Sequence, residues 1–181
     1  MAKPHHVDIL FSEEKIQAKI AELARAVAQD YSGRELVLIG ILHGGAALLT
    51  DFARALWKAG LTTTVYKDYI GISSYESGVD STGRVVFTKE LKNSIKGRHV
   101  LIVEDIVDTG RSLTSATHIL KNKEPKSLET LALLSKPSRR EVEVAVKYIG
   151  WEIPNTFVVG YDLDYDEMYR TMPYIGNVVF Y

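Results

Sequence analysis

Apolar positions along this chain alternate between two periods. At residues 12–30 they recur every three or four positions, so that Ile16, Ile20, Leu23, Ala24 and Val27 share one face of a predicted helix. Ser12 can cap that helix, and Glu13 and Glu14 place negative charge in its first turn, where the helix dipole favours it. Residues 36–42 are an unbroken apolar run of strand length, the pattern of a strand buried on both faces. The helical period returns at residues 46–59, with Leu48, Leu49, Phe52 and Leu56 on a core face and Gly60 as a stop. Residues 62–72 are rich in β-branched and aromatic side chains and predict a strand. Residues 73–83 are polar, hold two glycines and lack any period, which predicts a loop. Further strands are expected at 84–87, 99–103, 128–134, 144–148, 157–161 and 178–181, and a helix at 112–121 that stops before Pro125.

Strands alternating with amphipathic helices predict an α/β fold of three layers, a mostly parallel central sheet flanked by helices. The length of 181 residues suits a single domain, 1–181, with a proper core. Beyond Lys136 the chain is denser in aromatics and short strands. That segment is expected to form a small hood subdomain over the ligand-binding end of the sheet, with N-terminal residues as a second contributor.

Charge narrows the partners. The 22 basic and 23 acidic residues nearly cancel, so nothing favours nucleic acid or an anionic membrane, and attraction for a phosphorylated ligand must be local. The chain has no cysteine, which excludes disulfides and thiolate-bound zinc and fits a cytoplasmic protein. Neither a signal-peptide pattern nor an apolar run long enough to span a bilayer is seen. His5, His6, His43, His99 and His118 lack zinc-site spacing, and Trp57 and Trp151 read as core or interface aromatics.

The chemistry concentrates in one place. The apolar run before Glu104 ends in Glu104-Asp105, a third carboxylate follows at Asp108, and Asp108-Thr109-Gly110-Arg111-Ser112 opens a helix. In open α/β sheets, ligands sit beyond the carboxyl ends of the strands. Free N–H groups at a helix start suit a phosphate, Gly110 allows close approach, and Thr109, Ser112 and Thr114 add hydroxyls. Carboxylates repel phosphate, but they suit sugar hydroxyls, a Mg²⁺ ion or a proton. The plainer alternative is that Asp108 only caps the helix and the acids are solvated. Three carboxylates within five positions, joined to a Thr-Gly helix start, favour function. Gly-x-x-x-x-Gly-Lys is missing here, so this is not a P-loop.

This segment resembles the phosphoribosyl pyrophosphate (PRPP) signature of type I phosphoribosyltransferases. Its form Glu-Asp-Ile-Val-Asp-Thr-Gly is similar to the 6-oxopurine branch, the hypoxanthine-guanine phosphoribosyltransferases. The resemblance runs from the strand at 36–42 to the C-terminus, with the separate motifs in the expected order.

The resemblance implies that Glu104 and Asp105 bind the ribose hydroxyls of PRPP, directly or through Mg²⁺. Asp108, Thr109, Gly110, Arg111 and Ser112 would cradle the 5′-phosphate, and Asp108 would handle the proton at N7 of the purine. Leu42-His43-Gly44-Gly45 reads by itself as a strand-to-helix glycine turn. By resemblance, its His43 and Gly44 bind pyrophosphate through backbone N–H groups, and its Leu42-His43 peptide can be cis. Ser74-Tyr75 resembles the family's lid. Lys136 matches the lysine that reads the 6-oxo group, since an ammonium donates and cannot accept. Phe157 would stack on the base and Val158 would offer backbone groups to its edge. Asp164 matches a carboxylate near the second metal ion and the pyrophosphate, and is counted with the purine-binding residues as well as the metal ligands; Arg170 matches a pyrophosphate-binding arginine. The other acids of residues 162–167 read as a solvated face.

The implied activity is a Mg²⁺-dependent transfer of the phosphoribosyl group from PRPP to N9 of hypoxanthine or guanine, with xanthine as a further candidate. The products would be IMP or GMP and pyrophosphate, and the family's habit implies a homodimer or homotetramer. The alternative from another class is a PRPP-fold, nucleotide-sensing regulator that binds RNA. It would need a basic face that the near-neutral composition does not advertise.

Overall fold

The computed structural model describes residues 3–62, 64–73 and 86–181. In chain order the elements are β1 (His5–Phe11), α1 (Glu13–Asp30), β2 (Leu36–Leu42), α2 (Gly45–Lys58), β3 (Val65–Ser73), β4 (Val86–Lys89), β5 (His99–Val107), α3 (Arg111–Lys121), β6 (Ser127–Ser135), β7 (Tyr148–Glu152), β8 (Val158–Val159) and β9 (Ile175–Phe180). A short 3₁₀ turn, Pro137–Arg139, follows β6.

The main sheet has the order β4-β3-β2-β5-β6-β7. Its strands run parallel except β4, which closes the β3 edge antiparallel. Helices α1 and α2 cover one face and α3 the other, each over its own apolar cluster. The α1/α2 side gathers Ile16, Ile20, Leu48, Phe52, Leu101 and Leu131; the α3 side gathers Ile39, Val100, Ile102, Leu113 and Leu120. Both faces of β2 and β5 are thereby buried, which is why those strands read as unbroken apolar runs.

After β2 the chain adds β3 on one side, then crosses to place β5 on the other side of β2. The β2/β5 boundary is the topological switch point, where the loops after the two strands part and leave a crevice. The loop after β2 is Leu42–Gly45, and the segment after β5 carries Asp108 to Gly110.

A second sheet, β1-β9-β8, is antiparallel and joins the two ends of the described chain. The ring of Phe11 at the end of β1 stacks on Trp151 of β7, with centroids 4.1 Å apart. Sequence patterning does not predict β1, because His5, His6 and Asp8 break the apolar alternation; pairing with β9, far along the chain, makes it a strand.

Other boundaries also moved. The strand expected at 144–148 is instead Tyr148–Glu152. Val144 and Val146 pack against the α3-side core without strand pairing, and the ladder with β6 starts only at Tyr148. The strand expected at 99–103 extends to Val107, because β6 runs alongside and pairs as far as Val107 with Ser135. Glu104 and Asp105 are therefore strand residues and not the residues beyond a strand end. Ser12 caps α1 by accepting the Lys15 N–H at 3.4 Å, as its position predicts. Among the described residues, no helix is long and apolar enough to cross a membrane.

Candidate active site

Consecutive strand residues point to opposite faces, so Glu104 and Asp105 diverge. Asp105 turns toward the start of α2, so closely that a Cβ on Gly44 would lie 1.9 Å from its Oδ2. Its Oδ1 accepts the N–H of Ile106 at 2.7 Å. Glu104 is equally buried, and its Oε2 has no hydrogen-bond partner among the described residues. Burial pushes the Glu104 carboxyl well above the usual carboxylate range, and the charge of Asp105 adds to this. Burial also pushes Asp105 up to about 6, with Asp162 adding and the Ile106 N–H and Arg170 opposing. Two adjacent buried acids held in that state suit a hard cation or hydroxyl donors brought in by a ligand.

Past Val107 the strand ends and Gly110, with φ of 88°, turns the chain into α3. A side chain could not sit there: a Cβ would meet the Val142 carbonyl oxygen at 2.7 Å. The N-cap Gly110 has no side chain to cap α3; Thr109 Oγ1 accepts the Arg111 N–H at 3.4 Å, and Asp108 does not serve as the cap. Glu104, Asp105, Asp108, Thr109, Gly110 and Ser112 line one cleft of about 250 Å³ at this helix start. Arg111 does not turn into it; its Nη2 pairs with Glu141 at 2.6 Å on an exposed flank.

Asp108 is held from both sides. Lys136 Nζ donates to its Oδ2 at 2.9 Å and Arg139 Nε to its Oδ1 at 3.1 Å. Burial alone would raise this carboxyl, but the two cations outweigh it and hold Asp108 below its ordinary value. Arg140 braces the backbone, giving one N–H to the Asp108 carbonyl at 2.7 Å and another to Ser135 Oγ at 2.9 Å. Lys136 is itself buried, a position an ammonium tolerates only when paired. Sequence reasoning named Lys136 but missed Arg139 and Arg140; their spacing, one turn beyond Lys136 behind a proline, is the signal that could have found them.

The Leu42-His43 peptide is cis, as the family resemblance allowed. His43 is exposed, and its carbonyl accepts the Ala46 N–H at 3.1 Å. Against this loop stands the chain reversal after β8. There Asp164 Oδ1 pairs with Arg170 Nη2 at 2.8 Å, and Arg170 Nη1 donates to the Asp162 carbonyl at 2.6 Å. Asp162 also accepts the Ala47 N–H through its Oδ2 at 2.7 Å. The expectation that Asp162 belongs to a solvated face is wrong: it is half-buried and acts on Asp105. No sequence signal separates it from the other acids of that run. Asp164 and Arg170 pair with each other, and among the described residues no three acids or histidines converge as a metal cage.

Phe157 directly precedes β8, is 43% exposed, and stands nearly perpendicular to Tyr165 (centroids 5.4 Å) and Phe180 (6.1 Å). Val158 is buried and pairs with Asn177 of β9. Ser74 and Tyr75 lie outside the described residues. A larger groove of about 620 Å³ between α1 and α2, lined by Gln17, Arg25, Asp51, Arg54 and Lys58, contains none of these site residues.

Residues 6–166 match the family described as phosphoribosyl transferase domain. The chain is 44% identical to hypoxanthine phosphoribosyltransferase of Haemophilus influenzae, over 98% of each chain. It is 43% identical to hypoxanthine-guanine phosphoribosyltransferase of Staphylococcus aureus, over 94% of this chain and 93% of that one. Among solved structures, a hypoxanthine phosphoribosyltransferase of Staphylococcus aureus superposes with a TM-score of 0.87 at 42% identity, covering 95% of this chain and 91% of that one. A hypoxanthine-guanine phosphoribosyltransferase of Bacillus anthracis gives a TM-score of 0.87 at 37% identity, covering 97% and 99%.

Proposed function

This chain belongs to the hypoxanthine-guanine phosphoribosyltransferases, within the phosphoribosyl transferase domain family, and from that premise we propose how its own residues transfer the phosphoribosyl group. The substrates are PRPP and hypoxanthine or guanine, with xanthine as a third candidate. The products are IMP or GMP and pyrophosphate, the reaction of purine salvage.

The observation that carries this assignment is the Lys136–Asp108 pair, 2.9 Å apart, next to the start of α3. Lys136 donates to the purine 6-oxo group, which an ammonium can recognise and an adenine amino group cannot satisfy. Its neighbour Asp108 then faces N7. As N9 bonds to C1′ and the C1′–oxygen bond to pyrophosphate breaks, Asp108 takes the N7 proton and its charge stabilises the cationic sugar. Thr109, Gly110, Arg111 and Ser112 receive the 5′-phosphate at the helix start, where N–H groups and dipole favour an anion. Phe157, 43% exposed, stacks on the base, and Val158 offers backbone groups to its edge. His43, Gly44 and Arg170 take the pyrophosphate. Ser74 and Tyr75 are assigned to a lid.

A single carboxylate is enough for Mg²⁺ here: Glu104 keeps an unpartnered buried oxygen, while Asp105 on the opposite face and Asp164, paired with Arg170, are further candidate ligands. Mg²⁺ characteristically takes one or two carboxylates and completes its shell with substrate phosphates and water. When bound, it would neutralise charge on the diphosphate leaving group. The absence of cysteine supports a cytoplasmic setting. Trp57 at 66% and Ile9 at 64% exposure support self-association as a homodimer or homotetramer. No feature of the fold favours the RNA-binding regulator.

The test is direct. Pure protein with PRPP and Mg²⁺ is given hypoxanthine, guanine or xanthine, and nucleotide is followed by chromatography. Turnover with at least one is expected, and kcat/KM for the three sets their order. Turnover with none overturns the assignment.

A further inference from the structure

The loop between β2 and α2 poses a packing problem. Gly44 is the N-cap of α2, and it must remain glycine because a Cβ there would collide with Asp105. A glycine cap has no side chain to accept the free N–H groups of the first turn, and α2 has no side-chain cap of its own. The acceptor comes from 115 residues away: Asp162 Oδ2 takes the Ala47 N–H at 2.7 Å.

Asp162 is in turn held rigidly. Its backbone is left-handed, with φ of 72°, its N–H donates to the Arg170 carbonyl at 3.0 Å, and its carbonyl accepts Arg170 Nη1 at 2.6 Å. One residue earlier, Tyr161 Oη donates to Asp51 Oδ2 of α2 at 2.8 Å. The reversal bearing Asp164 and Arg170 is thus fastened to α2 at two successive turns. Asp105 thus stands against Gly44, and Asp162 holds the Ala47 N–H three residues further on.

We propose that Asp162 is a positioning residue for diphosphate: by capping α2 in place of Gly44, it fixes the Leu42–Gly45 loop against Asp105 and sets Arg170 opposite that loop. It rests on the assignment of this loop and Arg170 to pyrophosphate made above. The carboxylate acts through its hydrogen bond, and its charge is a burden, since it stands near Asp105 and opposes an incoming anion. Two consequences distinguish this role from that of a metal ligand or a purely structural residue. The effect falls on diphosphate-bearing ligands and spares the purine, and an uncharged acceptor of the same shape suffices.

The experiment compares wild type with Asp162→Ala, Asp162→Asn and Asp162→Glu. For each, KM for PRPP, KM for hypoxanthine, kcat, and the inhibition constant of pyrophosphate with Mg²⁺ are measured. Loss of one capping hydrogen bond should raise the PRPP KM and pyrophosphate inhibition constant about tenfold in the Ala variant, with hypoxanthine KM within about twofold. Asp162→Asn should return within about threefold of wild type. Asp162→Glu keeps the charge but displaces the acceptor by a methylene, and should resemble Ala. The proposal fails if the Ala variant leaves both diphosphate constants unchanged or raises hypoxanthine KM equally. It also fails if Glu is wild-type-like while Asn is impaired, because charge would then be the requirement. The Asn and Glu variants decide the matter even if the Ala variant does not fold. A wild type that makes no nucleotide refutes the transferase assignment, a different failure from unaltered variants of an active enzyme.

Discussion

Asp105 should make the free protein lose stability as pH rises through the range where the enzyme works. Its carboxyl is pushed from an ordinary 3.8 up to about 6 in the folded state, chiefly by burial. An acid raised on folding binds its proton more tightly folded than unfolded, so stability is greatest at low pH and is lost as pH climbs from 3.8 through about 6. Integrating the difference in bound protons from about pH 5 to about pH 8 gives on the order of 1 kcal/mol. For a chain of this length that corresponds to a few degrees in Tm, roughly 2–4 °C. Glu104, also raised by burial, adds a loss of the same sign. Asp105→Asn keeps an oxygen to accept the Ile106 N–H but cannot titrate. Urea unfolding of wild type and Asp105→Asn, at both pH values and with chelator present, isolates the effect. The drop from the lower to the higher pH should be smaller in the variant by on the order of 1 kcal/mol, whatever its absolute stability. Equal drops in the two proteins would refute the claim that burial, uncompensated in the free protein, raises the Asp105 carboxyl above its ordinary value.

Other expectations concern turnover. Asp108→Asn should fold normally and bind PRPP but lower kcat about 10²-fold or more, the usual scale of lost acid–base catalysis; an unchanged kcat in a stopped-time assay removes Asp108 from the proton transfer. Lys136→Ala should raise KM for hypoxanthine far more than KM for PRPP, and equal losses would contradict base recognition. It should also shift the acid limb of the kcat pH profile upward, because the cation that helps hold the Asp108 carboxyl low is gone. Gly44→Ala places a methyl 1.9 Å from Asp105 Oδ2, so the loop or the Asp105 carboxylate must move; activity should fall at least about tenfold while far-ultraviolet dichroism stays native, and wild-type kinetics would show that the contact yields freely.

The elements legible in the sequence are those whose burial is one-sided or total. Helix α1 shows its stripe and its Ser12 cap, and β2 its unbroken apolar run, because each side chain's fate is set by neighbours a few residues away. The Glu104-to-Ser112 segment was legible for the same reason: acids, turn and helix start are contiguous. Strand β1 was not legible. It is half polar, and only its ladder with β9 makes it extended. The extension of β5 through Glu104 and Asp105 was hidden too, since β6 decides where that ladder ends.

The sequence by itself determined the layered α/β architecture, the acid–turn–helix segment, and the identity of the ionisable groups gathered near it. These are local properties, set by period, by glycine where φ is positive, and by the chemistry of side chains a few positions apart. Tertiary structure alone decided what those groups do to one another. It set Lys136 and Arg139 on opposite oxygens of Asp108, left Glu104 with a bare buried oxygen, and brought Asp162 across the chain to cap α2. Charge and hydrogen bonding act through space over a few ångströms, and residues that close in the fold can be far apart, or indistinguishable from their neighbours, along the chain.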